Sequence, residues 1–128
     1  MRQNRFGHYE SLPLCEVSLI GPARTVPVIA AVDSGATHPF FPASSAADAG
    51  IDLSKARSFH VTFGGSDAFG KATVCYLTIG GRRLRAEVVF VDDIQLGYAL
   101  LGRSGIFSQF NEVSFLERSA DKRVEFRG

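Results

Sequence analysis

The sequence predicts an all-β, single-domain protein spanning residues 1–128, with one or two short helices. Three observations lead there. Short stretches alternate apolar and polar residues at period two, the pattern of a half-buried strand. Turn-forming clusters separate them at close intervals, among them Gly21-Pro22-Ala23-Arg24 and the two-residue hairpin signal Gly80-Gly81. Helix-capable sequence is confined to residues 44–49, where Ser44 and Ser45 offer caps and Gly50 a stop, and to residues 104–110.

Residues 1–10 are polar and read as a flexible N-terminal arm. Residues 12–20 alternate as a strand and form a hairpin with residues 26–32 across the Gly-Pro turn. The second strand contains the unbroken apolar run Val28-Ile29-Ala30-Ala31-Val32, expected to be buried on both faces, and it stops at Asp33. Ser34 and Gly35 turn the chain, Gly35 being expected to use backbone angles closed to other residues. Pro39-Phe40-Phe41-Pro42 is a short extended piece before the first helix.

A polar connection, 51–58, leads to strand 59–63. Gly64-Gly65-Ser66-Asp67 is read as a turn, followed by residues 68–72 and then by strand 73–79. Beyond Gly80-Gly81, the return strand sets Leu84, Ala86, Val88 and Phe90 on one face and Arg83, Arg85 and Glu87 on the other. The cluster Arg82-Arg83-Arg85 is therefore expected to be a solvated strand face. Asp92-Asp93 opens a loop, residues 96–101 make a second buried strand, and residues 111–128 hold a C-terminal hairpin turning at 119–122.

Composition sets aside several function classes. A formal net charge of +1 provides no attraction to nucleic acid or an anionic membrane, so neither is expected as a partner. No span approaches the ~18 apolar residues of a membrane helix. The N-terminus has no signal-type hydrophobic region, and a cytoplasmic location is expected. Cys15 and Cys75 lack Cys-x-x-Cys spacing and are expected to be reduced and buried. His8, His38 and His60 are not spaced for zinc, and no phosphate-cradling loop or serine elbow occurs, so neither metal nor cofactor is expected.

The chemistry concentrates at Asp33. A carboxylate at the end of a buried strand is expected to have restricted solvation, which opens its protonation to tuning. Asp33-Ser34-Gly35-Ala36 after an apolar strand, Phe40-Phe41-Pro42 beyond it, and Leu100-Leu101-Gly102-Arg103 late in the chain together resemble the retropepsin-like aspartic peptidases. These are the single-domain, retroviral-type relatives of pepsin, and the resemblance spans roughly residues 26–115.

The resemblance implies a small closed acid-protease-type β-barrel and an aspartic endopeptidase with Asp33 as its catalytic residue. It implies that the Ser34 hydroxyl bonds across to a partner's loop and that Gly35 lets the backbone approach the carboxylate. Ala36 and Thr37 would line the substrate channel with backbone groups, and Leu101 and Gly102 would cross under the turn as support. Retroviral enzymes carry an acid at the position of Thr37 that pairs with the arginine following the late glycine, so Arg103 is left without that partner. Residues 59–73 would correspond to the mobile hairpin that covers the cleft, with Phe63, Gly64, Gly65, Ser66 and Asp67 at its tip over substrate. Residues 112–128 add a hairpin where short retroviral chains end, so the interface between copies need not be an interleaved sheet.

Hydrolysis at an aspartic site needs two carboxyls sharing one proton. This chain has one Asp-Ser-Gly; Asp92, Asp93 and Asp121 lack the apolar lead and the glycine turn. An enzyme must therefore be a homodimer with one Asp33 from each copy at a two-fold axis, acting on a peptide or protein without a cofactor. Phe40 and Phe63 point to a preference for hydrophobic side chains around the bond. The alternative is a non-proteolytic module that keeps the fold for dimerisation or peptide binding.

Overall fold

The computed structural model describes residues 2–3, 13–63, 66–92, 98–116 and 123–128. Strands β1 (Arg2–Gln3), β2 (Leu14–Ile20), β3 (Thr25–Val32) and β4 (Phe40–Pro42) precede helix α1 (Ala43–Ala49). Strands β5 (Arg57–Phe63), β6 (Ser66–Ile79), β7 (Arg82–Val91) and β8 (Ala99–Leu101) follow. A 3-10 turn (Phe107–Gln109) then leads to β9 (Glu112–Leu116) and β10 (Arg123–Arg127).

Six strands close a barrel in the order β2-β3-β8-β4-β7-β6, sealed by antiparallel pairing of β2 with β6 at Ser18↔Thr78, Leu19↔Leu77 and Ile20↔Tyr76. Closure removes the free edges an open sheet would present. Strand β6 makes it possible by changing neighbours along its length. Residues 66–72 pair with β5, residues 70–79 with β7, and residues 76–78 with β2. The β5–β6 hairpin thus projects from a strand that is itself part of the barrel wall.

Period-two alternation supplies the interior. Cys15, Val17 and Leu19, then Cys75, Leu77 and Ile79, then Leu84, Ala86, Val88 and Phe90 fill one core with Phe41, Leu101, Val124 and Phe126. The expected face of β7 is buried, Arg83 and Arg85 are exposed opposite it, and Arg82 is exposed at the strand's start on the same side as Leu84. At its far end β7 departs from alternation: Val89 and Val91 are also buried, in a second cluster with Phe40 and Ala72. In β3, burial on both faces holds for Ala30, Ala31 and Val32 but not for Val28 and Ile29, which are half-buried. Cys15 and Cys75 are free and buried, and burial pushes their thiols up to about 12 and about 11.

The 80–81 hairpin turn is as expected, and other expectations change. Gly80 and Gly81 make the two-residue turn with Ile79 paired to Arg82, both at positive φ (57° and 84°). Residues 68–79 are one continuous strand, and Ser66 and Asp67 belong to it rather than to a turn, paired with Phe63 and Thr62. Ser44 and Ser45 do not cap α1. Pro42 begins it, and Ser45 sits in its first turn, donating its hydroxyl to the Pro42 carbonyl at 2.6 Å. Residues 104–110 form turns and the 3-10 piece rather than an α-helix, with Gly105 at φ 85° interrupting it.

The N-terminal arm is not wholly loose: Arg2 and Gln3 pair with Glu125 and Val124, giving a second sheet in the order β1-β10-β9. Residues 4–10, the second carboxylate of Asp92-Asp93, the start of strand 96–101 and the 119–122 turn lie outside the described residues. Among the described residues, no helix is long and apolar enough to cross a membrane.

Candidate active site

Parallel pairing of β3 with β8 brings Asp33 and Gly102 to the same end of the barrel, because Val32 is the register partner of Leu101. The two buried strands leave the wall side by side, and their loops interlock. The Asp33 N–H donates to the Leu101 carbonyl at 3.0 Å, the Arg103 N–H to Ala36 at 3.0 Å and the Ser104 N–H to Thr37 at 3.0 Å. Within the turn, the Ala36 N–H donates to the Asp33 carbonyl at 3.1 Å.

Gly102 permits this approach. A Cβ there would stand 2.6 Å from the Ala36 oxygen and 2.8 Å from the His38 oxygen, distances no side chain tolerates against backbone. Leu101 and Gly102 are both buried, against the turn that begins at Asp33. Gly35 has no positive φ, so the expectation of unusual backbone angles there is corrected. Its small size serves the carboxylate instead: a Cβ would lie 3.2 Å from Asp33 Oδ1, and the Gly35 N–H donates to that oxygen at 2.8 Å.

The Asp33 carboxylate is exposed in the single chain, so its solvation is not restricted there as expected. The reason is geometric: the turn projects beyond the barrel's end, and the residues after it, Ser34 and Gly35, are also exposed. Ser34 makes no hydrogen bond to a described residue, and neither does the exposed Arg103 guanidinium. A depression of about 500 Å³ lined by Leu53, Phe69, Lys71, Phe90 and Asp92, among others, does not include Asp33 in its walls.

An apolar floor adjoins the turn. Ala36, Phe59 and Leu100 pack against the second cluster of Phe40, Ala72, Val89 and Val91. Sequence reading missed this cluster; the signal was the run Val88-Val89-Phe90-Val91, which is continuous rather than alternating. It also passed over His38 except as a metal ligand. The half-buried His38 ring lies edge-on to Phe59 at 4.9 Å, with Nδ1 3.1 Å from Thr37 Oγ1. It thereby links the Asp33 turn to the hairpin.

Of the expected hairpin tip, Phe63 and Ser66 are paired strand ends, and Gly64 and Gly65 lie outside the described residues. Asp67 turns to the outer face, its Oδ1 3.2 Å from His60 Nε2, where Phe69 also stands against the His60 ring. Among the described residues, no group of three or more His, Cys, Asp or Glu side chains is gathered to hold a metal.

No protein-family model matches the chain, and no curated protein matches it in sequence. Solved structures do. A retropepsin-like aspartic protease from Rickettsia conorii superposes with a TM-score of 0.66 at 17% identity, over 97% of this chain and 87% of that one. The EIAV protease in complex with the inhibitor HBY-793 gives 0.54 at 18% identity, over 76% of this chain and 86% of its own. The Simian Foamy Virus (mac) protease gives 0.50 at 20% identity, over 73% and 90%. With six strands closed around one core and the β3 and β8 loops interlocked at one end, the chain has the fold of the retropepsin-like aspartic proteases.

Proposed function

We propose that this protein is an aspartic endopeptidase acting as a homodimer, hydrolysing peptide bonds through water held between two Asp33 carboxyls. The observation that carries this reading is a lone, exposed carboxylate on a turn fixed by backbone hydrogen bonds from a second buried strand. So much ordering beneath one surface acid is unexplained by packing alone. It makes sense if the acid must meet a second group with little freedom of position.

With two copies, one carboxyl is ionised and takes a proton from the water. The other is protonated and donates to the scissile carbonyl, and the shared proton passes to the leaving amine as the bond breaks. The Gly35 N–H holds Oδ1 of each aspartate, so the carboxyl planes are set before substrate arrives. The apolar floor of Phe40, Phe59 and Leu100 would take uncharged side chains flanking the bond.

Cleavage of unfolded casein between pH 3 and 7 tests the proposal, with an optimum expected on the acid side, where the pair retains one proton. Asp33→Asn is expected to lower cleavage by about 10³-fold or more, with the thermal midpoint nearly unchanged because the side chain is exposed. An intact dimer that cuts nothing across that range would favour a peptide-binding or dimerisation module. Full activity from a monomer in the ultracentrifuge would remove the two-copy mechanism.

A further inference from the structure

The loop of residues 102–110 supplies the backbone that meets the Asp33 turn, yet the two residues making the contact do not anchor it. Arg103 and Ser104 give their N–H groups to Ala36 and Thr37, and their side chains are exposed. Within the loop, the Phe107 N–H donates to Gly102 at 3.2 Å and the Ser108 N–H to Arg103 at 3.0 Å, which curls the segment without attaching it to the barrel. The buried Ile106 side chain sets its depth in the core. Gly105, between Ser104 and Ile106, has a positive φ of 85° and no side chain with which to hold its own backbone.

Two side chains reach that backbone from outside the contact. The half-buried Gln109 donates its Nε2 to the Arg85 carbonyl of β7 at 2.9 Å and also to the Gly105 carbonyl. Both partners accept only, so the amide presents its nitrogen to them, and one NH2 group ties loop to strand. Strand β7 pairs with β4 only at Val89, Phe90 and Val91, which leaves the Arg85 carbonyl available to the loop. Arg82, expected from the sequence to belong to a solvated face, is exposed but engaged. Its guanidinium donates to the Gln109 backbone carbonyl at 2.8 Å and lies over the Phe110 ring, 4.6 Å from the ring centre. Gly105 directly follows Ser104, so this clasp grips the chain next to the bond that Ser104 makes to Thr37.

We propose that Gln109, backed by Arg82, is a positioning residue for the Asp33 carboxyl: it pins the Gly105 backbone to β7 and thereby sets where Arg103 and Ser104 hold the turn. Its consequence for hydrolysis rests on the two-carboxyl reading given above. Both side chains act through the loop and leave the reacting atoms to Asp33. Two carboxyls share one proton only while they are close, so a turn free to wander weakens their coupling.

Gln109→Met in the full chain, which keeps the length of the side chain and removes its donors, provides the test, with Arg82→Met as the milder variant. Hydrogen exchange read by NMR follows the N–H groups of Asp33, Ala36, Arg103 and Ser104, all four of them bonded in the structure. Gln109→Met is expected to accelerate their exchange about tenfold and Arg82→Met about threefold, with the β5–β6 amides unchanged. Gln109→Lys, which retains N–H donors, should restore part of the protection. With a peptide taken from a casein cut, Gln109→Met is expected to lower kcat about tenfold and leave KM unchanged. Its pH profile should narrow from both sides, because the two carboxyls titrate closer together once they part.

Turn amides that exchange in Gln109→Met as in the unaltered chain overturn the proposal. Accelerated turn amides with kcat and pH profile unmoved also overturn it, since Gln109 then braces the loop without placing the acid. Should Gln109→Met fail to fold, Arg82→Met decides on the same amides and the same profile. A chain that cuts nothing, yet shows accelerated turn amides in Gln109→Met, removes the peptidase and keeps the clasp as what places Asp33.

Discussion

The Asp33 turn and the β5–β6 hairpin lie at opposite extremes of how this molecule fixes a loop. The turn is held from outside itself: Leu101 receives its first N–H, Arg103 and Ser104 donate to its carbonyls, and Gly102 lets the two backbones meet. The hairpin is held by itself, through its own ladder from Arg57↔Ala72 to Phe63↔Ser66. It joins the body where Gly70–Ala72 also pair with β7, and among the described side chains through the Phe59 ring on the second apolar cluster and on His38 and through the Arg57–Glu87 pair. Its outer face carries Phe69, 73% exposed, and the exposed His60–Asp67 pair. The two loops are thus fixed by different interactions, backbone bonds to another strand in one case and mainly a self-contained ladder in the other.

Breaking the turn is expected to cost most. Gly102→Ala drives a methyl into the Ala36 and His38 carbonyls and should lower the free energy of unfolding by about 3 kcal/mol or more, read from the denaturant midpoint. A mild effect would mean that the two loops are not interlocked as described. The barrel that carries the turn has an alkaline limit. Both thiols have folded pKa values raised above the ordinary one, so their contribution is complete below about pH 9 and falls as pH rises towards about 11 and about 12. Stability should fall by about 1.4 kcal/mol per pH unit for each thiol in that window. Cys15→Val should flatten the slope measured by denaturation at several alkaline pH values.

The hairpin should respond more gently. Phe59→Ala is expected to destabilise by about 2 kcal/mol, less than for a fully buried ring. Hydrogen exchange should accelerate in β5 and the first half of β6 while β3 and β8 stay protected. Equal acceleration in both regions would erase the contrast drawn here. His60→Gln should change global stability by less than about 1 kcal/mol, as for other exposed ion pairs. Its effect should be confined to the β5–β6 amides in NMR spectra.

How much of this was readable from sequence follows the range of the interactions. The end of β3 at Asp33, the Gly80-Gly81 turn and the outward arginines of β7 depend on neighbours in the chain, and local pattern reveals them. The supporting role of Gly102 was reachable only through resemblance, since nothing around residue 102 says which backbone it meets. The burial of Val89 and Val91, the pairing of Arg2 and Gln3 with β10, and the change of neighbours along β6 are decided by distant segments. Gly35 teaches a narrower lesson: a glycine after Asp-Ser suggests unusual torsion angles, whereas here it provides clearance for an oxygen.

Strand β10 lies between β1 and β9 of its own chain. Under the proposed pairing of two copies, neither has to lend that strand to the other, so parting leaves each with its sheets complete. If the proposed pairing holds, dilution alone would part the two carboxyls and stop hydrolysis while each copy keeps its own strands.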